Sequence, residues 1–365
     1  MPGVSNLKAA LKQQDRVCEI NIFGVPTFLL KGCLKKPFPA LTNLTLLSND
    51  ENAPVLRNSF LGGSAPRLRT IFLTGIPFPG IRKLLLSTTD LVTLSLWDIP
   101  HSGYISPRAI VASLSSLTRL KQLHLKFRSP RSRAVRQNRH PPPLTHVVLP
   151  ALITLWLEGD SEYLEDIVSR IDTPLLNDME IIFFNQLLFD TPQLRHFIGR
   201  TLGISSAPDW VRIHFEDDYV SVVPLPMLLL RISCKPSDWQ LSSISQLYNS
   251  TSYPLPTLEH LEIHNYREYW EDDTENILWL ELLRLFPSVK DLVLSEKSFR
   301  LVAPDLDELD GESVTEVLPA LQNIVIQGPQ STEPDNKAIG KFIATRQLFD
   351  SPVTIKHRDG EDLDQ

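Results

Sequence analysis

Two stretches decide the fold: Pro66-Arg67-Leu68-Arg69-Thr70-Ile71-Phe72-Leu73 and Pro150-Ala151-Leu152-Ile153-Thr154-Leu155-Trp156-Leu157. Each places apolar residues two, five and seven positions after a proline. The last two apolar residues stand two apart, so they point to one face of a short strand while the residues between them point to the other. The proline before them stops any preceding helix and forces an extended approach.

The pattern recurs along the chain. Its members are Val17/Ile20/Ile22, Leu41/Leu44/Leu46, Leu68/Ile71/Leu73, Leu91/Leu94/Leu96, Leu120/Leu123/Leu125 and Leu152/Leu155/Leu157. It continues with Leu176/Met179/Ile181, Trp210/Ile213/Phe215, Leu229/Ile232/Cys234, Leu258/Leu261/Ile263, Val289/Leu292/Leu294 and Leu321/Ile324/Ile326. Apolar triplets alone are weak, because a chain that is 42% hydrophobic gives roughly 27 by chance. The prolines are stronger. Eight units carry one at the same phase (Pro39, Pro66, Pro150, Pro174, Pro208, Pro256, Pro287, Pro319), where chance supplies about one. The mean spacing is about 28 residues, the range of leucine-rich repeats. Helical segments fall between strands: Ser106-Pro107 is a cap followed by proline at the first helical position, and Ser161, Thr191-Pro192, Thr274 to Phe286 and Asp335 to Leu348 open or span others. The expectation is an α/β leucine-rich-repeat solenoid of about 12 irregular repeats, a curved horseshoe with parallel strands on the concave face and helices on the convex face.

Composition agrees. The 365 residues include 59 Leu and 29 Pro but only 15 Gly. That many prolines exclude a long all-helical domain, and so few glycines do not suit an α/β enzyme with phosphate loops. Net charge is −7, against a protein that coats nucleic acid or a polybasic membrane binder. Three cysteines (Cys18, Cys33, Cys234) are an odd number without a C-x-x-C, so neither a disulfide framework nor a cysteine zinc site is expected. With no signal peptide and no apolar run long enough to span a bilayer, the expectation is a cytoplasmic or nuclear protein. Cys18 and Cys234 read as packed thiols. No catalytic or nucleotide-binding motif is present, so the chain reads as a non-enzyme with no cofactor and no metal.

One repeat domain is expected over residues 1–365, with two irregularities. A basic, proline-rich insertion at 128–146 reads as a mobile loop. The short interval after Trp210 reads as a hairpin at 210–223 with the acidic turn Glu216-Asp217-Asp218.

Longer segments carry a resemblance. Ser59-Phe60-Leu61-Gly62-Gly63-Ser64-Ala65-Pro66-Arg67-Leu68, Leu96-Trp97-Asp98-Ile99-Pro100-His101-Ser102-Gly103-Tyr104-Ile105-Ser106-Pro107, Ser161-Glu162-Tyr163-Leu164-Glu165-Asp166-Ile167-Val168 and Leu255-Pro256-Thr257-Leu258-Glu259-His260-Leu261 are similar to the leucine-rich-repeat F-box proteins of mushroom-forming (basidiomycete) fungi. The resemblance implies repeats that recruit the substrate of a cullin-RING ubiquitin ligase. An N-terminal F-box would hold the ligase adaptor. Every Leu-Pro here (Leu149-Pro150, Leu225-Pro226, Leu255-Pro256, Leu318-Pro319) belongs to the repeats, so the F-box is absent from this sequence and adaptor binding would need one upstream.

The strand residues between the core leucines face the concave side. Among them Phe72, Trp97, His124, Lys126, Trp156 and Glu158 fall in four successive units and form the expected partner-binding patch, since solvent-facing tryptophan on a strand face suits a partner anchor. The partner is expected to be a protein, bound by a monomer. Asp178, Glu180, Arg212, His214, His260, Glu262 and His264 would give a polar second half, read as solvated. His260 and His264 lie on one strand some 13 Å apart, too far to share a metal. Glu268, Glu271, Asp272, Asp273 and Glu275 with Tyr266, Tyr269 and Trp270 read as a solvated loop. A second functional reading uses the basic stretch 126–140 to touch nucleic acid or to act as a scaffold.

Overall fold

A computed structural model describes residues 4–24, 32–50, 53, 55–78, 81–130, 146–184, 191–201, 209–225, 228–251, 258–268, 277–328 and 338–358. The chain divides into two compact units: Met1–Phe184 with Thr191–Gly203, and Asn185–Asp190 with Ile204–Gln365.

The first unit is built on parallel strands. These are β1 (Glu19–Phe23), β2 (Asn43–Leu47), β3 (Thr70–Thr74), β4 (Thr93–Ile99), β5 (Gln122–Phe127), β7 (Thr154–Gly159) and β9 (Asp178–Phe184), hydrogen-bonded in that order. Between them, β6 (Val147–Val148) and β8 (Ile171–Asp172) form a separate parallel pair. The register aligns the repeats: Leu44, Ile71, Leu94, Leu123, Leu155 and Met179 form one buried row. Leu46, Leu73, Leu96, Leu125, Leu157 and Ile181 form the next. Each such leucine contributes about 2 kcal/mol by leaving water. Helices Pro107–Leu114 and Ser161–Val168 connect the later strands, and Pro192–Thr201 follows β9. The first is capped by Ser106, whose side chain accepts from the Ala109 amide, with Pro107 at the first helical position.

The prolines have a more specific job than stopping helices. In six of the proline-led repeats the first apolar residue precedes the strand and donates its amide to the carbonyl three residues back: Leu41 to Phe38, Leu68 to Ala65, Leu152 to Leu149, Leu176 to Thr173, Val289 to Phe286 and Leu321 to Leu318. Each is a β-turn with Pro39, Pro66, Pro150, Pro174, Pro287 or Pro319 at its second position, where a fixed φ is favoured. Repeats without proline make the same turn, Leu91 to Thr88 and Leu120 to Leu117, with Thr89 and Thr118 at the corner. Leu41, Leu68, Leu91, Leu120 and Leu152 are fully buried inside these turns.

The second unit begins with a meander. Strands β10 (Trp210–Phe215), β11 (Tyr219–Leu225) and β12 (Leu228–Ser233) pair antiparallel in turn. The expected 210–223 hairpin is thus the first half of a three-stranded meander. Helix Ser237–Thr251 then carries the chain to β13 (His260–Asn265), which lies parallel to β10 on the side away from β11. Parallel pairing continues through β14 (Asp291–Ser295), β15 (Asn323–Gln327) and β16 (Thr354–Arg358). Helices Ile277–Arg284, Glu296–Asp307, Ser313–Glu316 and Gly340–Leu348 fill the intervals.

Two expected repeats shift here. Val211, not Trp210, aligns with Leu261, so the 210/213/215 reading is displaced by two residues and Trp210 stands on the opposite strand face. Leu229 likewise faces away from the buried Leu228, Leu230 and Ile232. In a meander the strand starts earlier than in a turn-led repeat, so parity decides which residues are buried. The alternating parallel strands and helices in each unit make this a leucine-rich-repeat α/β fold.

Two polar devices tie neighbouring repeats. The Glu165 carboxylate accepts from the Gln193 and Leu194 amides (2.8 and 2.7 Å), so one helix caps the next. Asp307 does the same for the Lys341 and Phe342 amides (2.8 and 3.0 Å). The fully buried Arg346 donates to the carbonyls of Val314, Leu318, Pro319, Leu321 and Ser351.

The basic, proline-rich insertion expected at 128–146 lies outside the described residues except for 128–130 and 146. Most of the acidic-aromatic stretch, 269–276, does as well.

Candidate functional site

The strand face of the first unit opposite its leucine rows carries the residues of interest. Along one row the register sets Thr45, Phe72, Ser95, His124, Trp156 and Glu180 side by side. One position on, Leu47, Thr74 and Trp97 align across β2, β3 and β4, and Lys126, Glu158 and Ile182 across β5, β7 and β9. All six expected patch residues, Phe72, Trp97, His124, Lys126, Trp156 and Glu158, therefore stand on one face of four adjacent strands.

A bulge shapes the patch. Between Leu96 and Ile99, β4 has one residue more than β5, so Trp97 and Asp98 together face Lys126. Asp98 takes φ of +52°, which aspartate tolerates better than most residues, and its carboxylate receives two bonds from the Arg128 guanidinium (2.9 and 2.8 Å). Bulges re-aim side chains. Here the Trp97 ring reaches across β5 to meet Trp156 at 6.2 Å, nearly perpendicular. His124 stacks on Trp156 at 4.4 Å, and Phe72 meets Trp97 at 6.2 Å. Lys126 Nζ lies over both indoles, 4.6 Å from the Trp97 centroid and 5.2 Å from that of Trp156, and 3.4 Å from Glu180. The Trp156 indole N–H donates to Asp178 (3.1 Å).

The burial differs from a simple solvent-facing patch. His124 is 9% exposed and Lys126 8%, because the rings of Trp97 and Trp156 close over them. Only Phe72, Trp97, Trp156 and Glu158 keep partly accessible surface. Burial, with Lys126 beside it, lowers the His124 pKa to about 4 against the pull of Asp178, so the imidazole is neutral at pH 7. Its Nδ1 pairs with Ser95 Oγ at 2.9 Å, while Nε2 and the Trp97 indole N–H are buried without a hydrogen-bond partner. Asp178 and Glu180 belong to the cluster, although the sequence pattern assigns them only to a solvated region; their register with Thr154 and Trp156 is the signal that joins them. Asp98 and Arg128 were not legible, since a bulge leaves no mark in the apolar spacing.

The strand face of the second unit is more basic. Arg212 pairs with Glu262 (2.5 Å), and His260 Nδ1 with Asp291 (2.8 Å). His214 packs edge-on to His264 at 5.2 Å, and His264 stacks on Tyr266. Burial, then the neighbouring His264 and Arg212, lower the His214 pKa to about 4 despite Glu262. Among the described residues no cluster of His, Cys, Asp and Glu is arranged to hold a metal. Cys18 is exposed rather than packed, and Cys234 is buried with its thiol pushed up to about 12 by desolvation. Within the basic stretch 126–140, Lys126 is held by the two indoles and Glu180, and Arg128 by Asp98. The rest of that stretch, apart from 127 and 129–130, lies outside the described residues. Among the described residues no helix is long and apolar enough to cross a membrane.

The sequence matches no family profile, and no curated protein is similar to it. A solved structure, the leucine-rich repeat-containing protein LegL7 from Legionella pneumophila, is similar at 11% identity over 94% of this chain and 95% of that one, with a TM-score of 0.30.

Proposed function

We propose that the chain is a protein-interaction module whose working surface is the strand face of the first unit. The observation that carries this is the aromatic ladder Phe72, Trp97, His124 and Trp156, laid across adjacent strands on the face that the leucine core leaves open. Large rings held rigidly by one another lose little conformational freedom when a partner covers them. Phe72, Trp97 and Trp156 act as anchors, and polar neighbours such as Glu158 set the register of the partner.

The finer reading is that this surface receives the substrate of an F-box ubiquitin ligase, with an F-box on the same polypeptide binding the adaptor. It is supported by the resemblance of the segments around Pro66, Trp97, Ser161 and Pro256 to fungal F-box repeat proteins. A pull-down with purified adaptor tests that coupling; an upstream extension that carries an F-box yet fails to bind overturns it. For the surface itself, Trp97→Ala with Trp156→Ala should abolish partner capture while circular dichroism stays native. Undiminished capture by the folded double variant refutes the placement.

A further inference from the structure

The charge on this face is lopsided. Over the outward positions of β1, β2, β3, β4, β5, β7 and β9 stand four carboxylates, Glu19, Glu158, Asp178 and Glu180, against the single cation Lys126, a net of 1 − 4 = −3. Asp98 and Arg128, beside the bulge, cancel each other. An acidic field of this kind draws cations and repels anions before contact.

The same face already shows what its rings accept. Lys126 Nζ lies between the two indoles, 4.6 and 5.2 Å from their centroids, with Glu180 behind it. The indoles thus accept a cation, and both residues remain partly exposed. The centre of the face also holds unmet polarity beneath the rings: the Trp97 indole N–H and Nε2 of His124 are buried without a hydrogen-bond partner, and His124 is nine-tenths buried.

We propose that this surface takes an extended, arginine-bearing segment of a partner protein, its guanidinium groups stacking on Trp97 and Trp156 and lying within the field of Glu158, Asp178 and Glu180. The proposal rests on the reading of this face as the interaction surface and adds the chemistry of what it binds. Arginine suits the site better than lysine because its planar group stacks on a ring and pairs with a carboxylate at the same time.

The test uses the full chain and three fluorescent twelve-residue peptides, alternating Ser with Arg, Lys or Glu, followed by anisotropy. The arginine peptide should bind, weaken with added salt, and exceed the lysine peptide several-fold. Trp156→Ala should weaken it about tenfold, the worth of a partly desolvated cation–π contact. Glu158→Lys should weaken it comparably and, keeping both indoles, covers the case in which Trp156→Ala misfolds. Lys356→Ala, on β16 of the second unit, should change nothing. Equal or tighter binding of the glutamate peptide, still dependent on Trp156, overturns the basic-segment proposal and leaves the surface reading standing. Arginine-peptide binding indifferent to both Trp156→Ala and Glu158→Lys overturns the proposal, as does the absence of any binding. The surface reading itself is decided by partner capture in the tryptophan double variant, whose undiminished capture refutes it.

Discussion

Asp305 lies on helix Glu296–Asp307, is 2% exposed, and has one carboxylate oxygen with no hydrogen-bond partner. Desolvation, and then the neighbouring charge of Glu308, raise its pKa from 3.8 to about 7. The unfolded chain releases this proton near pH 4, while the folded chain keeps it to about 7. Between those values the folded state binds more protons, so its stability falls as pH rises, and the loss is complete above the folded pKa. Three pH units at about 1.36 kcal/mol each set a ceiling of about 4 kcal/mol, and relaxation around the ionised group reduces this to about 2–4 kcal/mol. Asp305→Asn keeps the shape and removes the charge. Urea unfolding of the two proteins by circular dichroism should give nearly equal midpoints around pH 4. The variant should pull ahead steadily to about pH 7, and the gap should then stay constant. A gap independent of pH, or a variant that is weaker throughout, would refute burial of an ionisable Asp305 as the cause.

Further expectations follow from single residues. Arg346→Met removes the guanidinium from the carbonyls of Val314, Leu318, Pro319, Leu321 and Ser351, of which Leu318 keeps the Leu321 amide, and should destabilise the protein by about 3 kcal/mol or more in urea unfolding. Arg346→Lys should recover little, because an ammonium cannot reach so many carbonyls at once; near-native stability of the lysine variant would refute this. Gly75 has φ of +67°, and a Cβ there would stand 2.2 Å from the Ser48 carbonyl oxygen, so Gly75→Ala should lower the thermal midpoint clearly, whereas relief by a small backbone shift would leave it unchanged. Thr118 holds the turn corner that proline holds elsewhere, so Thr118→Pro should be tolerated and add about 0.5 kcal/mol; a loss of more than about 1 kcal/mol would show that this turn differs from the others.

The parallel repeats were legible because two independent regularities, apolar spacing and proline phase, coincide in them. They placed Leu44, Ile71, Leu94, Leu123 and Leu155 in one row, as the register shows. They failed at Trp210 and Leu229, where an antiparallel meander replaces the turn-led strand and the side-chain parity changes. Strand β16 escaped notice because Thr354, Lys356, His357 and Arg358 are exposed and Ile355 is only half-buried, so little apolar signal remains. Charged residues suit such an edge, since they discourage pairing with another chain. Helix Glu296–Asp307 was hidden by Pro304 within it. At the candidate site the strand alternation put Phe72, Trp97, His124, Lys126, Trp156 and Glu158 on one face, as the register has them. It could not tell that Trp97 and Trp156 would close over His124 and Lys126, because side-chain lean across strands has no counterpart in linear spacing.

The hydrogen-bonded turn before eight of the strands also bears on how such a chain can change length over evolution. From Leu41 to Leu46, from Leu120 to Leu125 and from Val289 to Leu294 the count never varies, because turn and strand share one buried geometry. The steps from one turn leucine to the next do vary: Leu68 to Leu91 spans 23 residues and Leu120 to Leu152 spans 32. In these turn-led repeats the differences in length therefore fall after the strand, not between turn and strand. A repeat can lengthen there without moving a single core leucine out of register, so new sequence can accumulate beside the aromatic face while the face itself stays fixed.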